Sequence, residues 1–223
     1  MINVAIDGPS GAGKSSVARL AAKELGFVYI DTGALYRSVG VAAMMRDIET
    51  TDTAGVISML PEIKIDLDFI DGLQRVYVNG EDVSEDIRKP EASMAASNVS
   101  AIPEVRAFLL DLQKDMAKSH DCILDGRDIG TVVLPDAQVK IFLTASAQER
   151  ANRRYKELTE KGHSVDYNAL LEEIIQRDYN DSHREAAPLR QAEDAVLLDS
   201  SDINLEQTVA RTVAIIKEKV GLK

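Results

Sequence analysis

The sequence predicts an α/β fold: a doubly wound, five-stranded parallel sheet with helices on both faces and a small antiparallel sheet as an insertion. Five short apolar runs each lead to a helical pattern or to a loop before one; they cover residues 2–6, 27–30, 122–125, 139–143 and 195–198. A glycine-rich loop joins the first run to the first helix, as at the start of a parallel α/β sheet. Residues 63–83 instead follow a period of two, which indicates inserted antiparallel strands.

The first elements are defined by their ends. The first strand stops at Asp7-Gly8, and a helix is expected from Lys14 to Leu25 because apolar residues recur there at helical spacing. Gly26 stands where a left-handed helix cap would lie. The second strand follows directly.

The inserted segment carries two hairpin signals, Asp71-Gly72 and Asn79-Gly80, among alternating apolar residues. Two helices are expected after it, near residues 90–101 and 103–119, and Pro103 suits a first helical turn.

A later helical pattern, residues 147–161, carries many charges and little apolar packing. Ser146 and Glu149 form a capping box ahead of it, and Gly162 ends it. We expect this segment to move as a lid.

Composition excludes several classes of protein. Among 223 residues, 26 are Lys or Arg and 37 are Asp or Glu, and the net charge of −11 argues against a general binder of nucleic acids or membrane surfaces. No apolar run approaches the ~20 residues that span a bilayer. The N-terminus lacks the basic flank and apolar stretch of a signal peptide. The one cysteine, Cys122, fits a reducing compartment, so we expect a cytoplasmic protein.

The strongest motif is GPSGAGKS, residues 8–15, which matches G-x-x-x-x-G-K-[ST] between a predicted strand and a predicted helix. Glycines let backbone N–H groups turn inward around phosphate oxygens, and the helix N-terminus adds partial positive charge. Lys14 is expected to reach the β- and γ-phosphates of a nucleotide, and the Ser15 hydroxyl to ligate Mg²⁺.

The second motif, DTGALYR at residues 31–37, follows the second strand. Because ligands bind beyond the carboxyl ends of parallel strands, Thr32 and Arg37 are expected to face the same crevice as the phosphate loop. A plainer interpretation is that Asp31 or Thr32 only caps the next helix.

The third motif, DGRDIG at residues 125–130, ends the third core strand. Two glycines around Arg127-Asp128 predict a tight loop that holds both side chains over the sheet edge. The alternative is a surface ion pair in a turn.

The fourth signal is a density of arginine in an acidic chain: Arg150, Arg153, Arg154, Arg177, Arg184 and Arg190. Helical spacing places the first three on one face, and Arg177, Asp181 and Arg184 on one face of the next helix. An ordinary salt-bridged surface would have the same pattern. Beside a phosphate loop, however, positive groups suit phosphoryl transfer, which depends on neutralising the moving phosphoryl group.

The remaining candidates are weak. His120, His163 and His183 lack metal-ligand spacing and are expected in solvent. Cys122 heads an apolar strand and is expected in the core.

Together these motifs resemble the bacterial-type cytidylate kinase family, a branch of the P-loop nucleoside monophosphate kinases. The resemblance runs from Val4 to the last helix and rests on GPSGAGKS, DTGALYR, DGRDIGT and RDYNDSHR. It implies ATP-dependent phosphorylation of CMP and dCMP to CDP and dCDP by direct in-line transfer of the γ-phosphoryl group, with Mg²⁺. It also implies a core (1–37, 120–148 and 166–223), a nucleoside-monophosphate-binding region (38–119, with the β insertion at about 63–83) and a lid (149–165).

The resemblance implies two groups of residues on the donor side. The ATP-binding loop would be Gly8, Pro9, Ser10, Gly11, Ala12, Gly13, Lys14, Ser15 and Ser16. The lid arginines that close over ATP would be Arg150 and Arg154.

It implies further groups on the acceptor side. The CMP phosphate and the transferring group would be held by Arg37, Arg127 and Arg184. The cytosine would be read by Ser97, Arg106 and Asp128. The sugar hydroxyls would contact Asp181, which is placed by Arg177. The acceptor side would also be lined by Asp31, Thr32 and Tyr36. The catalytic residues would then be Lys14, Arg127, Arg150, Arg154 and Arg184.

Two other functions remain open on the residues alone. One is a P-loop kinase of another small acceptor, such as a different nucleotide kinase or a shikimate-like kinase. The other is a P-loop switch module that acts through a partner, although no segment responsive to the γ-phosphate stands out. We expect nucleotides as the partners, neither nucleic acid nor membrane, and a monomer.

Overall fold

Two sheets form the framework of the computed structural model, which describes residues 1–70 and 73–222. The strands are β1 (Asn3–Asp7), β2 (Val28–Asp31), β3 (Ile65–Ile70), β4 (Leu73–Val78), β5 (Glu81–Asp82), β6 (Cys122–Gly126), β7 (Val139–Thr144) and β8 (Val196–Asp199). Five of them form one sheet in the order β2-β6-β1-β7-β8, and the other three form a sheet in the order β3-β4-β5. The predicted fold class is confirmed.

The helices fill the connections. They are α1 (Lys14–Leu25), α2 (Thr32–Met44), α3 (Thr53–Met59), α4 (Pro90–Ser100), α5 (Pro103–Ser119), α6 (Ala147–Glu160), α7 (Tyr167–His183) and α8 (Leu205–Val220). Short 3₁₀ turns occupy Leu60–Glu62 and Asp86–Arg88, and a single π-helical turn occupies Ile129–Val133.

The chain forms two compact units. The first comprises residues 1–29 and 120–223, and the second residues 30–119. In the first unit β1 is central and parallel to both β6 and β7. Residues 4–6 have no exposed surface, as expected of a strand covered on both faces. Apolar residues of α1 and α8, among them Val17 and Ile216, pack in the same core cluster.

The second unit has its own core, which joins α2, α4 and α5 to the antiparallel sheet. Asn79 and Gly80 both adopt left-handed conformations, with φ of 51° and 84°, as a two-residue hairpin turn requires. The other predicted turn, Asp71-Gly72, lies outside the described residues, and Ile70 pairs with Leu73 on either side of it.

None of the helices within residues 1–70 and 73–222 is both long enough and apolar enough to cross a membrane.

Candidate active site

The glycine loop begins at the buried carboxyl end of β1 and leads into α1. Gly8 has a φ of 150°, and a Cβ there would lie 1.9 Å from the Leu143 carbonyl oxygen of β7, so any side chain would collide with backbone. The loop therefore starts pressed against the sheet and ends at the N-terminus of α1. This is the geometry in which backbone N–H groups and the helix dipole favour an anion.

Lys14 is the buried cation of this loop. Its side chain is 6% exposed, and Nζ donates a hydrogen bond to the Pro9 carbonyl at 2.8 Å. Burial, together with the charge of Arg127, lowers the pKa of Lys14 to about 7, although Asp125 and Asp7 act in the opposite direction. The free protein therefore holds this ammonium group in a place where its charge is poorly compensated.

The Asp125 carboxylate, at the end of β6, accepts two hydroxyl hydrogen bonds. Ser15 donates to Oδ2 at 2.8 Å, and the Tyr29 hydroxyl donates to Oδ1 at 3.0 Å. β6 lies directly beside β1, so the hydroxyl of the glycine loop and a carboxylate of the neighbouring strand stand together. A P-loop Ser or Thr and an Asp from a neighbouring strand are the residues that hold Mg²⁺ in P-loop proteins.

The loop after β6 carries Arg127 and Asp128 into two ion pairs with the region around α7. Arg127 Nε donates to Asp181 Oδ2 at 2.8 Å. Arg184 Nη2 lies 3.6 Å from Asp128 Oδ1, and both of these side chains are at most 10% exposed. The structure thus brings together, in the first unit, two of the predicted phosphate-binding residues (Arg127 and Arg184), the predicted sugar-binding Asp181 and the predicted base reader Asp128.

Arg184 corrects one expectation from the sequence. Helical spacing placed it on the same face of one helix as Arg177 and Asp181, but α7 ends at His183 and Arg184 has an extended backbone. Its Nε donates to the Ala187 carbonyl at 2.8 Å. Arg177 is half-buried on α7, one turn before Asp181.

Arg150 and Arg154 of α6 differ in burial and in their partners. Arg150 is 3% exposed and donates to the carbonyls of Ser10 and Ala145 and to both carboxylate oxygens of Asp178. Arg154, by contrast, is half-exposed and pairs with Glu157 on its own helix.

Arg150, which was expected to close over ATP as part of a lid, contacts the glycine loop in this structure. A guanidinium group this buried distributes its donors over fixed acceptors, so Arg150 anchors α6 to the glycine loop through the Ser10 carbonyl.

A cavity of about 280 Å³ lies beside the glycine loop. Its lining includes Ala12, Gly13 and Ser16 of the loop, Arg153 of α6 and residues 203–205 before and at the start of α8. Arg153 is further held by Glu149 at 2.9 Å. The arginine of α6 that faces this space is therefore Arg153, which the sequence did not single out for a role.

The second unit carries the remaining predicted residues. Asp31 caps α2 by accepting from the Ala34 N–H at 2.9 Å, and it also accepts from Arg37 Nη2 at 2.7 Å. Asp31 is therefore a helix cap, as in the plainer interpretation, and it also orients Arg37. Thr32 is 2% exposed at the start of α2.

Tyr36 and Arg106 lie together in the second unit. The Arg106 guanidinium carbon is 5.5 Å from the centre of the Tyr36 ring, within the range of a cation–π contact. Arg106 also donates to the Ser100 carbonyl at 3.4 Å, and Ser97 is half-buried one turn earlier on α4.

The histidine and cysteine predictions are confirmed. His120, His163 and His183 are exposed, and Cys122 is fully buried. Within the described part of the chain, no group of three or more His, Cys, Asp or Glu side chains is arranged to hold a metal ion.

The cytidylate kinase family model matches residues 4–218 of the chain. The chain belongs to the cytidylate kinase family. It is 50% identical over 220 residues to the cytidylate kinase of Caldicellulosiruptor saccharolyticus, covering 99% of this chain and 97% of that one. The cytidylate kinase of Caldicellulosiruptor bescii is also 50% identical, with 98% and 97% covered.

A solved structure shares the fold. The shikimate kinase of Bacteroides thetaiotaomicron superposes with a TM-score of 0.50 at 12% identity, and 99% of each chain is covered. As a member of the cytidylate kinase family, the chain combines this P-loop fold with the antiparallel insertion of its second unit.

Proposed function

We propose that the chain catalyses ATP-dependent phosphorylation of CMP and dCMP to CDP and dCDP. The observation that carries this function is the family match over residues 4–218, which includes the glycine loop. The buried charges of the first unit support it, since they fit the transfer of an anionic group.

The donor phosphates bind in the glycine loop, Gly8 to Ser16, with Lys14 against the β- and γ-phosphates. The cavity beside Ala12 and Gly13 receives the nucleoside part of ATP. Arg153, which lines this cavity, contacts the nucleoside. A lid, residues 149–165, closes over ATP, with Arg150 at its base and Arg154 further along α6. Arg150 keeps the loop in shape by binding the Ser10 carbonyl.

Mg²⁺ fits the pair formed by Ser15 and Asp125, because a hydroxyl and a carboxylate are the hard oxygen ligands that this ion takes. When bound, Mg²⁺ neutralises negative charge on the β- and γ-phosphate oxygens. Tyr29 holds the second oxygen of Asp125 and so fixes the carboxylate.

The acceptor is recognised by phosphate, sugar and base contacts. Arg37, Arg127 and Arg184 hold its phosphate and the transferring group. Asp181, with Arg177 one turn away, contacts the sugar hydroxyls. The base is read by Ser97, Arg106 and Asp128, and the acceptor side is further lined by Thr32 and Tyr36. Residues 38–119 form the nucleoside-monophosphate-binding region.

Catalysis requires no general base. A nucleoside 5′-phosphate is largely ionised at neutral pH, so its oxygen attacks without a proton being removed from it by the protein. Lys14 and the arginines position the two phosphates in line and neutralise the charge of the moving group. Exclusion of water by the lid then prevents hydrolysis of ATP.

The setting of the enzyme is also part of the proposal. The one cysteine of the sequence is free and buried, which suits a reducing, cytoplasmic environment, and the chain is proposed to act as a monomer.

The deciding experiment is a coupled ADP-release assay of the purified chain with Mg²⁺-ATP and, separately, CMP, dCMP, UMP, AMP, GMP and shikimate. We expect ADP release that depends on CMP or dCMP and is weak with the others. Best activity with AMP or shikimate would assign a different P-loop kinase. Slow ATP hydrolysis that no acceptor stimulates would favour a switch module.

A further inference from the structure

Asp7 is a buried carboxylate that none of the four sequence motifs uses. It is the last residue of β1, directly before Gly8, and it is 5% exposed. In the parallel register it stands opposite Gly126 of β6 on one side and Phe142 of β7 on the other. Its backbone is therefore fixed from both sides at the edge of the sheet where the phosphate loop begins.

Both oxygens of this carboxylate accept backbone hydrogen bonds from the loop after β6. Oδ1 accepts from the Ile129 N–H at 2.8 Å, and Oδ2 accepts from the Gly130 N–H at 2.7 Å. These N–H groups open the π-helical turn, where an N–H has no partner inside the turn. Asp7 therefore supplies the two acceptors that this turn lacks.

The same turn is also closely packed at Gly130. A Cβ at Gly130 would lie 3.3 Å from Asp7 Oδ2 and 3.1 Å from the Lys140 side chain, so glycine permits this close approach. Lys140 is itself fixed, since Nζ donates to the Pro135 carbonyl and to Asp194.

The surroundings of Asp7 show why its two backbone hydrogen bonds are needed to keep the carboxylate ionised. Burial and the nearby Asp128 raise the pKa of Asp7, to about 6, while the two backbone N–H groups and Lys14 act to lower it. An ionised carboxylate in a buried site is costly unless hydrogen-bond donors and opposite charges, such as these N–H groups and Lys14, stabilise it.

We propose that Asp7 is a positioning residue for acceptor selection: its carboxylate fixes the turn that follows Arg127 and Asp128 and so sets where these two side chains stand. Asp128 is the residue immediately before Ile129, so a shift of the turn moves it directly. The inference rests on the proposed function, in which Asp128 reads the base and Arg127 binds the phosphate.

The test is Asp7→Asn. The amide oxygen can accept one of the two N–H groups, but the amide NH₂ then faces the other, donor against donor, so the turn must move. We expect the KM for CMP to rise about tenfold and the CMP-to-UMP ratio of kcat/KM to fall about tenfold, the size of effect of one charge-assisted hydrogen bond. The KM for ATP is expected to rise less than the KM for CMP, through loss of the Asp7 charge that raises the pKa of Lys14.

Asp121→Asn is the matched control. Asp121 also accepts a backbone N–H, from Ile2 at 2.6 Å, but at the opposite end of β1. This variant is expected to keep the wild-type KM for CMP and the wild-type selectivity ratio. A wild-type protein that does not prefer CMP would refute the proposed function itself, independently of either variant.

An Asp7→Asn variant with unchanged KM and selectivity would overturn the proposal. So would an equal loss of kcat/KM for both acceptors and for ATP, since that is the effect of general structural damage. If the variant does not fold, amide hydrogen exchange of the wild-type protein decides. Protection of the Ile129 and Gly130 amides at the level of β1 is expected, and exchange at the rate of an exposed loop would overturn the inference.

Discussion

Replacing Lys14 by methionine removes the ammonium group of the phosphate loop and keeps a side chain of similar length. Because Lys14 contacts the transferring phosphate in the proposed mechanism, we expect a fall of ~10²–10³ in kcat/KM, or about 3–4 kcal/mol of transition-state stabilisation. The coupled ADP-release assay with saturating CMP measures it. A variant that keeps more than about a third of wild-type turnover would contradict the assignment of the loop.

The structure also predicts how this substitution changes the dependence of stability on pH. The pKa of Lys14 is near 10.5 when it is unfolded and about 7 in the folded protein. Between these values the unfolded chain binds one proton more, so the free energy of unfolding rises with pH. The free energy of unfolding of the wild type, relative to that of Lys14→Met, is expected to increase by roughly 1–2 kcal/mol from pH 7 to 8.5. Urea unfolding at both pH values measures it, and a difference that does not change with pH would refute the argument from burial.

The same reasoning gives a binding measurement. Because burial lowers the pKa of Lys14 to about 7, we expect this side chain to be mostly neutral in the free enzyme at pH 8. The phosphates of a nucleotide should restore its charge, so binding is expected to take up roughly one proton. Titration calorimetry of a non-hydrolysable ATP analogue, in buffers of different ionisation enthalpy, reports this number directly. Binding without proton uptake in the wild type, or with equal uptake in Lys14→Met, would show that the proton belongs to another group.

Three further substitutions test separate parts of the site. Asp125→Asn should raise the Mg²⁺ concentration for half-maximal activity about 10–100-fold, because it weakens the support of the ion; an unchanged Mg²⁺ titration would remove Asp125 from that role. Asp128→Asn should narrow a CMP-over-UMP preference of ~10²–10⁴ in kcat/KM, since an amide can donate to the uracil O4; a constant ratio would exclude Asp128 as a base reader. Gly8→Ala should destabilise the fold by about 1–3 kcal/mol, or several degrees in Tm, and abolish ATP binding, because its Cβ would collide with the Leu143 carbonyl; wild-type thermal unfolding would contradict this geometry.

The sheet was predictable because its signals are local. A buried parallel strand is a short apolar run, and each run here ends at a polar or glycine residue where the strand ends. The hairpin insertion was predictable for the same reason, since Asn79-Gly80 sits between strands of period two. Bounds differed by one or two residues, as for the last strand, which begins at Val196 rather than 195.

The partners of the charged residues were not predictable from spacing. Helical periodicity predicts that Arg150 and Arg154 share a face of α6. It does not predict that, of the two, Arg150 is the one that contacts Asp178 and the Ser10 carbonyl. Those contacts join residues 28 and 140 positions apart. The position of Asp125 beside the glycine loop was easier to predict, because Asp125 ends the apolar run of β6, a strand that pairs with β1.

Each arginine proposed to hold a phosphate contacts an aspartate in the free protein: Arg37 with Asp31, Arg127 with Asp181 and Arg184 with Asp128. Cations gathered for an anionic substrate repel one another. The pKa of Lys14 is lowered mainly by burial and, in addition, by the charge of Arg127. An aspartate offsets that repulsion and orients the guanidinium group. We expect the phosphate of a bound nucleotide to add further negative charge to the cluster and so to stabilise it. A chain with a net charge of −11 can bind anionic nucleotides in this way, because the field at the site depends on the nearest groups and distant charges are screened.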